Sequence, residues 1–345
     1  MVTLKQIAAA VGVSTTTVSR VLNFDSTLSI SEKKRQAIVE TAEALNYLTP
    51  RNRKRTSQSG MHKVVVVHFL RPDQELADPY YVGMRLGIES RCHAKKIETV
   101  TVYHNEGLPD ATLIRSASGV VVIGRHDEEE IAWLAENARH LVFADYAPAS
   151  DEIDAVRSDL GLAMRKLLKA LTGAGYKRIG FVGWDDVYNG VRRVQLEARC
   201  RAYMEWMKEA GLFDERLCRV ERNTEECGYR LTRALLQETR RPDALVAGND
   251  NMAVGAYRAI HEAGLRIPED IAVASFNDIS VAQFLNPPLS TVRLPFEEIG
   301  ETAVDLLIER ARGRTLAKRV TLASTLIFRG STAVPASSPV MPNTE

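Results

Sequence analysis

Thr3-Leu4-Lys5-Gln6-Ile7-Ala8, followed after Val11-Gly12-Val13 by Ser14-Thr15-Thr16-Thr17-Val18-Ser19-Arg20-Val21-Leu22-Asn23, sets two short amphipathic segments on either side of a glycine corner. Thr3 and, three residues on, Gln6 form a capping box, so a helix is predicted from there with Leu4, Ile7 and Ala8 on its inner face. Gly12 can take the positive φ that a sharp corner needs. Ser14 can cap a second helix whose Val18, Val21 and Leu22 point inward while Thr15, Thr16, Thr17, Ser19 and Arg20 point out. Hydroxyls and one arginine on a short helix suit the major groove of duplex DNA, because they can bond phosphates and base edges. A structural helix pair with a polar outer face is the alternative.

Charge separates this head from the body. The net charge of the 345 residues is only +1, but residues 1–60 carry nine Lys and Arg against four Asp and Glu, leaving 36 of the 45 bases against 40 of the 44 acids for the rest. A basic head on a mildly acidic body is expected where only the head meets phosphate. Cys92, Cys200, Cys218 and Cys227 are scattered without a Cys-x-x-Cys pair, which suggests neither a disulfide framework nor a zinc site. Reduced thiols, a polar N-terminus and the lack of a long apolar run favour a cytoplasmic, nucleoid-associated protein over a secreted or membrane one.

After Asn23 a third helix is predicted from Ser31, with Ile38, Ala42 and Leu45 on one face. Residues 48–60, with Pro50, Arg51, Arg53, Lys54, Arg55 and Gly60, read as a linker. From Lys63 the texture changes. Apolar runs at 64–69, 100–103, 120–123, 141–145, 179–183, 244–247 and 271–276 read as strands. Helices are predicted near 80–95, 127–138, 159–174, 192–210, 226–238, 250–263 and 297–312. Continuous apolar strands alternating with helices imply parallel sheets covered on both faces, and two such series imply two lobes. Doubly wound sheets bind ligands at the carboxyl ends of their strands, so facing lobes should hold a small molecule between them.

The head resembles that of the LacI/GalR family of bacterial repressors, with Gln6 in place of the usual acid and Val11 in place of the usual alanine. Ala247-Gly248-Asn249-Asp250-Asn251-Met252-Ala253 with Gly255, Gly264-Leu265-Arg266-Ile267-Pro268-Glu269-Asp270-Ile271-Ala272-Val273 and Pro287-Pro288-Leu289-Ser290-Thr291-Val292 resemble the family's core. The resemblance implies an α/β protein with a lac-repressor-like helix-turn-helix headpiece (1–47), a hinge linker (48–60), a periplasmic-binding-protein-like two-lobed effector and dimerisation core (61–332) and a flexible tail (333–345). It places the lobe crossovers near 158, 293 and 323. The hinge-helix leucine of the family is replaced here, its place being held by Arg55 or Thr56.

By the same resemblance Thr15, Thr16 and Arg20 match base-reading positions, and Thr3, Ser14, Thr17, Ser19 and Asn23 match phosphate-contacting ones. For the effector, Arg192, Asn249, Asn277, Asp145 and Phe296 match the family's sugar-binding set, the usual aspartate being replaced at Asn277. Tyr80 and Tyr81 are further candidates. Local alternatives stand beside these: Thr3 and Ser14 as caps alone, Asn249 as a helix cap, Arg192 as a solvated side chain, Phe296 and the tyrosines as packing. Asp78-Pro79-Tyr80-Tyr81 and the stretch from Tyr103 to Asp110 are most similar to family repressors of β-galactosidase genes, which implies a galactoside-type effector. The expected partners are operator DNA, a small sugar and a second copy of the chain, with no metal and no cofactor. The rivals are an enzyme on the same scaffold, for which no Gly-x-Ser-x-Gly, His-Glu-x-x-His or P-loop is found, and a sugar-transport binding protein.

Overall fold

The computed structural model describes residues 3–22, 25, 28, 30–44, 61–103, 108–184, 187–188, 191–192 and 196–333; at 32, 43–44, 187–188 and 191–192 it describes the backbone only. The chain divides into two compact units, residues 1–62 and 63–345. The first holds α1 (Leu4–Val11), α2 (Thr15–Leu22) and α3 (Glu32–Ala44). Gln6 Oε1 accepts from the Thr3 amide at 2.8 Å and from the Thr3 hydroxyl at 3.2 Å. The hydroxyl is therefore spent on Gln6, and the Gln6 amide turns to the Thr3 carbonyl instead, at 3.0 Å. Gly12 makes the corner at φ 68°, a left-handed conformation that costs a residue with a Cβ roughly 1–2 kcal/mol. Ile7, Ala8, Val18, Val21, Ile38 and Ala42 close a miniature core over these helices. Leu45 and the linker 48–60 lie outside the described residues.

The second unit carries two six-stranded sheets. The first is built from β1 (Lys63–His68), β2 (Glu98–Tyr103), β3 (Gly119–Ile123), β4 (Leu141–Ala144) and β5 (Asp154–Ser158). Among them run α4 (Pro72–Leu76), α5 (Pro79–Lys95), α6 (Ala111–Ser116) and α7 (Glu128–Asn137). The chain then crosses through α8 (Leu160–Gly173) to β6 (Ile179–Trp184), the short pair β7 (Val187–Tyr188) and β8 (Val191–Arg192), and α9 (Ala198–Glu209). It continues through β9 (Cys218–Glu221), α10 (Glu225–Leu236), β10 (Ala244–Ala247), α11 (Asp250–Glu262), β11 (Ala272–Asn277) and β12 (Ser290–Arg293). It returns as α12 (Phe296–Ala311), which packs on α5, and β13 (Arg319–Leu322), and crosses once more into β14 (Thr325–Ile327). Strand orders are β13-β5-β4-β3-β1-β2 and β14-β12-β11-β10-β6-β9. All pairings in these sheets are parallel except β12 with β14.

Local chemistry sets the element ends. The helix expected from 192 begins only at Ala198, because the Glu197 carboxylate accepts from the amides of Arg199 and Cys200 and caps it there. Val191–Arg192 pairs instead with Val187–Tyr188. Pro79, which has no amide to leave unbonded, opens α5 behind Asp78, whose side chain accepts from the Tyr80 amide. In β1 and β3, Val64 to Val67 and Val120 to Ile123 are almost wholly buried. Such strands need helices on both faces, which explains why their apolar runs do not alternate. In each sheet the strand order reverses beside its first strand, between β1 and β3 and between β6 and β10. The carboxyl ends there form the crevice that doubly wound sheets offer to ligands.

Candidate DNA-reading helix and ligand cleft

In the head, Ser14 Oγ accepts from the Thr17 amide at 3.0 Å and lies 2.8 Å from Thr17 Oγ1. Thr15 and Thr16 are exposed beside them. Arg20 donates from Nε to Asp25 Oδ2 at 2.7 Å, with its side chain 41% exposed. Asp25 went unnoticed in the sequence; it aims the guanidinium, and the five-residue separation made the pairing hard to see. Thr3 is exposed and Ser19 half-buried, and Asn23 lies outside the described residues. Ser14→Ala removes the α2 cap and is expected to cost about 1 kcal/mol. The expected reading is faster amide exchange over 15–22 in the full-length protein, restored by Ser14→Thr.

The cleft side of the first sheet is an aromatic wall organised on one carboxylate. Asp145, just past β4 at φ 67°, accepts from the Tyr80 hydroxyl at 2.6 Å and from the Tyr81 hydroxyl at 3.1 Å. Burial pushes its carboxyl above the usual range, and it likewise pushes both phenols up, so the tyrosines stay protonated donors. Tyr80 meets Tyr81 edge-on at 5.0 Å and Phe296 at 5.4 Å, and Tyr81 meets Phe69 at 4.9 Å. Phe296, the first residue of α12, lies where a side chain at Gly83 would sit, so only glycine lets this ring reach the tyrosines. Each Asp145 oxygen accepts one phenol and keeps a second acceptor direction.

The second sheet contributes Arg199, which the sequence reading passed over. Its guanidinium lies 4.3 Å from the Trp184 ring centre and 5.6 Å from that of Phe276. It donates to Glu197 Oε1 at 2.9 Å and to the Gly248 carbonyl at 3.0 Å. Arg199 is 7% exposed and Glu197 5%. The available signal was the pair Ala202-Tyr203, because Tyr203 is fully buried, bonds the Ile179 carbonyl at 2.7 Å and fixes the helix that carries Arg199. The side chain of Arg192 lies outside the described residues. Asn249 uses Oδ1 to cap α11 through the Met252 amide at 2.9 Å, which directs its remaining amide group to other partners. Asn277 ends β11 at φ 106° and is buried.

The structure thus brings Tyr80, Tyr81, Asp145 and Phe296 into one cluster and places Asn249 and Asn277 at neighbouring strand ends beside Arg199. Arg199 acts electrostatically on Asp78, Asp145, Tyr80 and Tyr81, which belong to the opposite sheet. A direct tie also spans the lobes, from Asn251 Nδ2 to the Ala77 carbonyl at 3.1 Å. Next to Asn249, buried Asp250 accepts from the Ile279 amide at 2.8 Å and the Thr291 hydroxyl at 2.9 Å, and also from Ser275. It fixes the ends of β11 and β12. Burial pushes its carboxyl up to about 7. Among the described residues, no group of three His, Cys, Asp or Glu could hold a metal ion, and no helix is long and apolar enough to cross a membrane.

Residues 3–50 match the family described as bacterial regulatory proteins, lacI family, and residues 168–332 match the periplasmic binding protein-like domain. The chain is 36% identical over 340 residues to the HTH-type transcriptional repressor MelR of Bacillus subtilis (strain 168), covering 96% of this chain and 97% of that one. It is 61% identical over 113 residues to the lactose operon repressor of Rhizobium radiobacter, which spans 33% of this chain and 100% of that sequence. Among solved structures, a complex of the transcriptional regulator CelR with cellobiose superposes with a TM-score of 0.68 at 26% identity, covering 96% of this chain and 100% of the other.

Proposed function

The chain belongs to the lacI family of bacterial regulatory proteins, and on that premise we propose that it is a DNA-binding transcriptional repressor released from a palindromic operator by a neutral, galactoside-type sugar. The observation that carries the effector half is the convergence of planar hydrogen-bonding groups and aromatic rings from both sheets on one crevice. Planar amides and guanidinium groups bond adjacent sugar hydroxyls in pairs, while rings cover the apolar face of the sugar. In this reading Arg199, Asn249 and Asn277 hold hydroxyls from one side and the phenols of Tyr80 and Tyr81 from the other. Phe296 and Trp184 supply the stacking faces. Arg192 keeps its place as a second candidate arginine.

The charge of the cleft narrows the ligand. Among the described residues, the guanidinium at the cleft is that of Arg199, which is neutralised by Glu197 and faces Asp78 and Asp145. An extra phosphate on the ligand would enter a site already rich in carboxylates, so neutral sugars are favoured over sugar phosphates. The name of the lactose operon repressor and the cellobiose in the CelR structure support a glycoside.

For DNA, Thr15, Thr16 and Arg20 reach base edges in this reading, with Thr3, Ser14, Thr17, Ser19 and Asn23 on phosphates. Two heads about one helical turn apart, ~34–36 Å, require a homodimer. Sugar binding changes the lobe arrangement and with it the heads' affinity for operator. By linkage, operator changes sugar affinity by the same factor.

The test is fluorescence anisotropy of full-length protein on a palindrome selected from a random duplex pool, with and without galactosides and their phosphates. Release by a neutral galactoside, and not by its phosphate, is the expected result. If no sugar changes binding to any selected palindrome, the switch is wrong. Arg20→Ala should relax preference at one base position by roughly 1–3 kcal/mol; uniform weakening over all sequences would make it a phosphate contact.

A further inference from the structure

Cys200 and Cys218 are 18 residues apart in the chain, yet their Sγ atoms lie 4.0 Å apart. Cys200 sits buried in the first turn of α9, and half-buried Cys218 opens β9, an edge strand of the second sheet. We propose that these two thiols form a reversible disulfide that links oxidation to the ligand cleft. A disulfide needs an S–S distance of about 2.05 Å, so closing the gap takes rotation of both side chains and a small shift of the α9 turn. Cys218, the more accessible thiol, attacks one sulfur of a low-molecular-weight disulfide as its thiolate, forming a mixed disulfide and expelling one thiolate. Cys200 then displaces the remaining half. In total, two protein thiols give up two protons and two electrons to form one S–S bond, and the oxidant becomes two thiols.

The same α9 turn holds Arg199. Glu197 Oε2 accepts from the amides of Arg199 at 2.8 Å and Cys200 at 3.3 Å, so residues 197–200 move as one piece. Drawing Cys200 toward β9 pulls Arg199 from its bond to the Gly248 carbonyl and loosens its seat on Trp184. Cys92 and Cys227 lie on α5 and α10 and serve as internal controls. Burial pushes the Cys92 thiol up to about 12, which disfavours the thiolate that exchange requires.

The inference rests on the effector role of Arg199 only for its consequence, so its test uses no sugar. Full-length protein is equilibrated with oxidised and reduced glutathione and quenched with acid. The thiols are then alkylated, peptides mapped by mass spectrometry and amide exchange followed over residues 197–203. The expected result is a linked Cys200–Cys218 peptide with Cys92 and Cys227 alkylated. Exchange over 197–203 should be about tenfold faster in the oxidised protein, a factor corresponding to about 1.4 kcal/mol of opening free energy. Both effects should reverse with reductant and be absent in Cys218→Ser. Absence of the link, a different pairing, or a link that leaves exchange unchanged overturns the proposal while leaving the sugar reading intact.

Discussion

Arg199→Ala is expected to weaken sugar binding by about a hundredfold or more, while sugar-free binding to operator stays within a few-fold of the parent. Hydrogen bonds from a charged donor are worth roughly 1.5–3 kcal/mol each, and a guanidinium in this position has several to offer a ligand. Alanine also strands the Glu197 carboxylate, and breaking a buried ion pair on one side typically costs about 3–5 kcal/mol. Here the amides of residues 199 and 200 still donate to that carboxylate, which keeps the turn folded. Arg199→Lys discriminates charge from shape. It retains the cation but loses the planar fork and the stack on Trp184, so a large loss is expected there too. Arg192→Ala, made alongside, asks which of the two arginines meets the sugar. Isothermal titration with a galactoside and anisotropy on operator give both readings. An Arg199→Ala protein that responds to the parent's inducing concentration would place the effector elsewhere.

What the sequence disclosed, and what it hid, follows from separation along the chain. The caps of the head use partners three residues apart, Thr3 with Gln6 and Ser14 with Thr17, so a reader sees both ends of each bond. The two-lobed α/β class shows in the central strands, where Val64 to Val67 and Val120 to Ile123 are unbroken apolar runs. β9 (Cys-Arg-Val-Glu) and β13 (Arg-Val-Thr-Leu) escaped because they are edge strands, each with few apolar residues and partly exposed faces. β5 escaped for another reason, since its fully buried first residue is an aspartate. In the cleft, positions after strands are visible as Asp145, Asn249 and Asn277, but the bonds from Tyr80 and Tyr81 to Asp145 span 65 and 64 residues. Arg192, Arg193, Arg199 and Arg201 look alike in a string, and what the fold adds for Arg199 is its burial against Trp184 and Glu197.

Asp154→Ala should destabilise the core by about 3–5 kcal/mol, because it removes the buried carboxylate that Arg310 and Arg314 share and leaves them only the half-exposed Glu309, which meets Arg314 at 2.8 Å. Asp154 is fully buried at the start of β5. It accepts from Arg310 Nε at 2.8 Å and from Arg314 Nη1 and Nη2 at 2.9 and 2.7 Å, the two side chains being 17% and 14% exposed. It also accepts from the Lys318 amide, so one carboxylate joins β5, the last turn of α12 and the loop entering β13. Burial alone would raise its pKa, but the bonds from Arg314, Arg310 and the Lys318 amide outweigh that and hold the carboxyl below its ordinary value of 3.8. A lowered folded-state pKa means that the unfolded chain binds the proton first on acidification. The stabilisation is therefore complete above the ordinary value and fades as the pH falls through the folded one. In urea unfolding followed by circular dichroism, the gap between parent and variant should be constant from pH 5 to pH 8 and should narrow below about pH 4. Asp154→Asn, which keeps the shape without the charge, should follow the same pH course. A cost under 1 kcal/mol at pH 7, or a gap that persists at low pH, would refute the arrangement. The path from α12 into β13 is tied by this knot, which touches none of the proposed sugar-bonding groups. Asp154→Ala should thus lower stability and leave the preference for neutral over phosphorylated sugar unchanged, whereas Arg199→Ala should remove sugar binding itself.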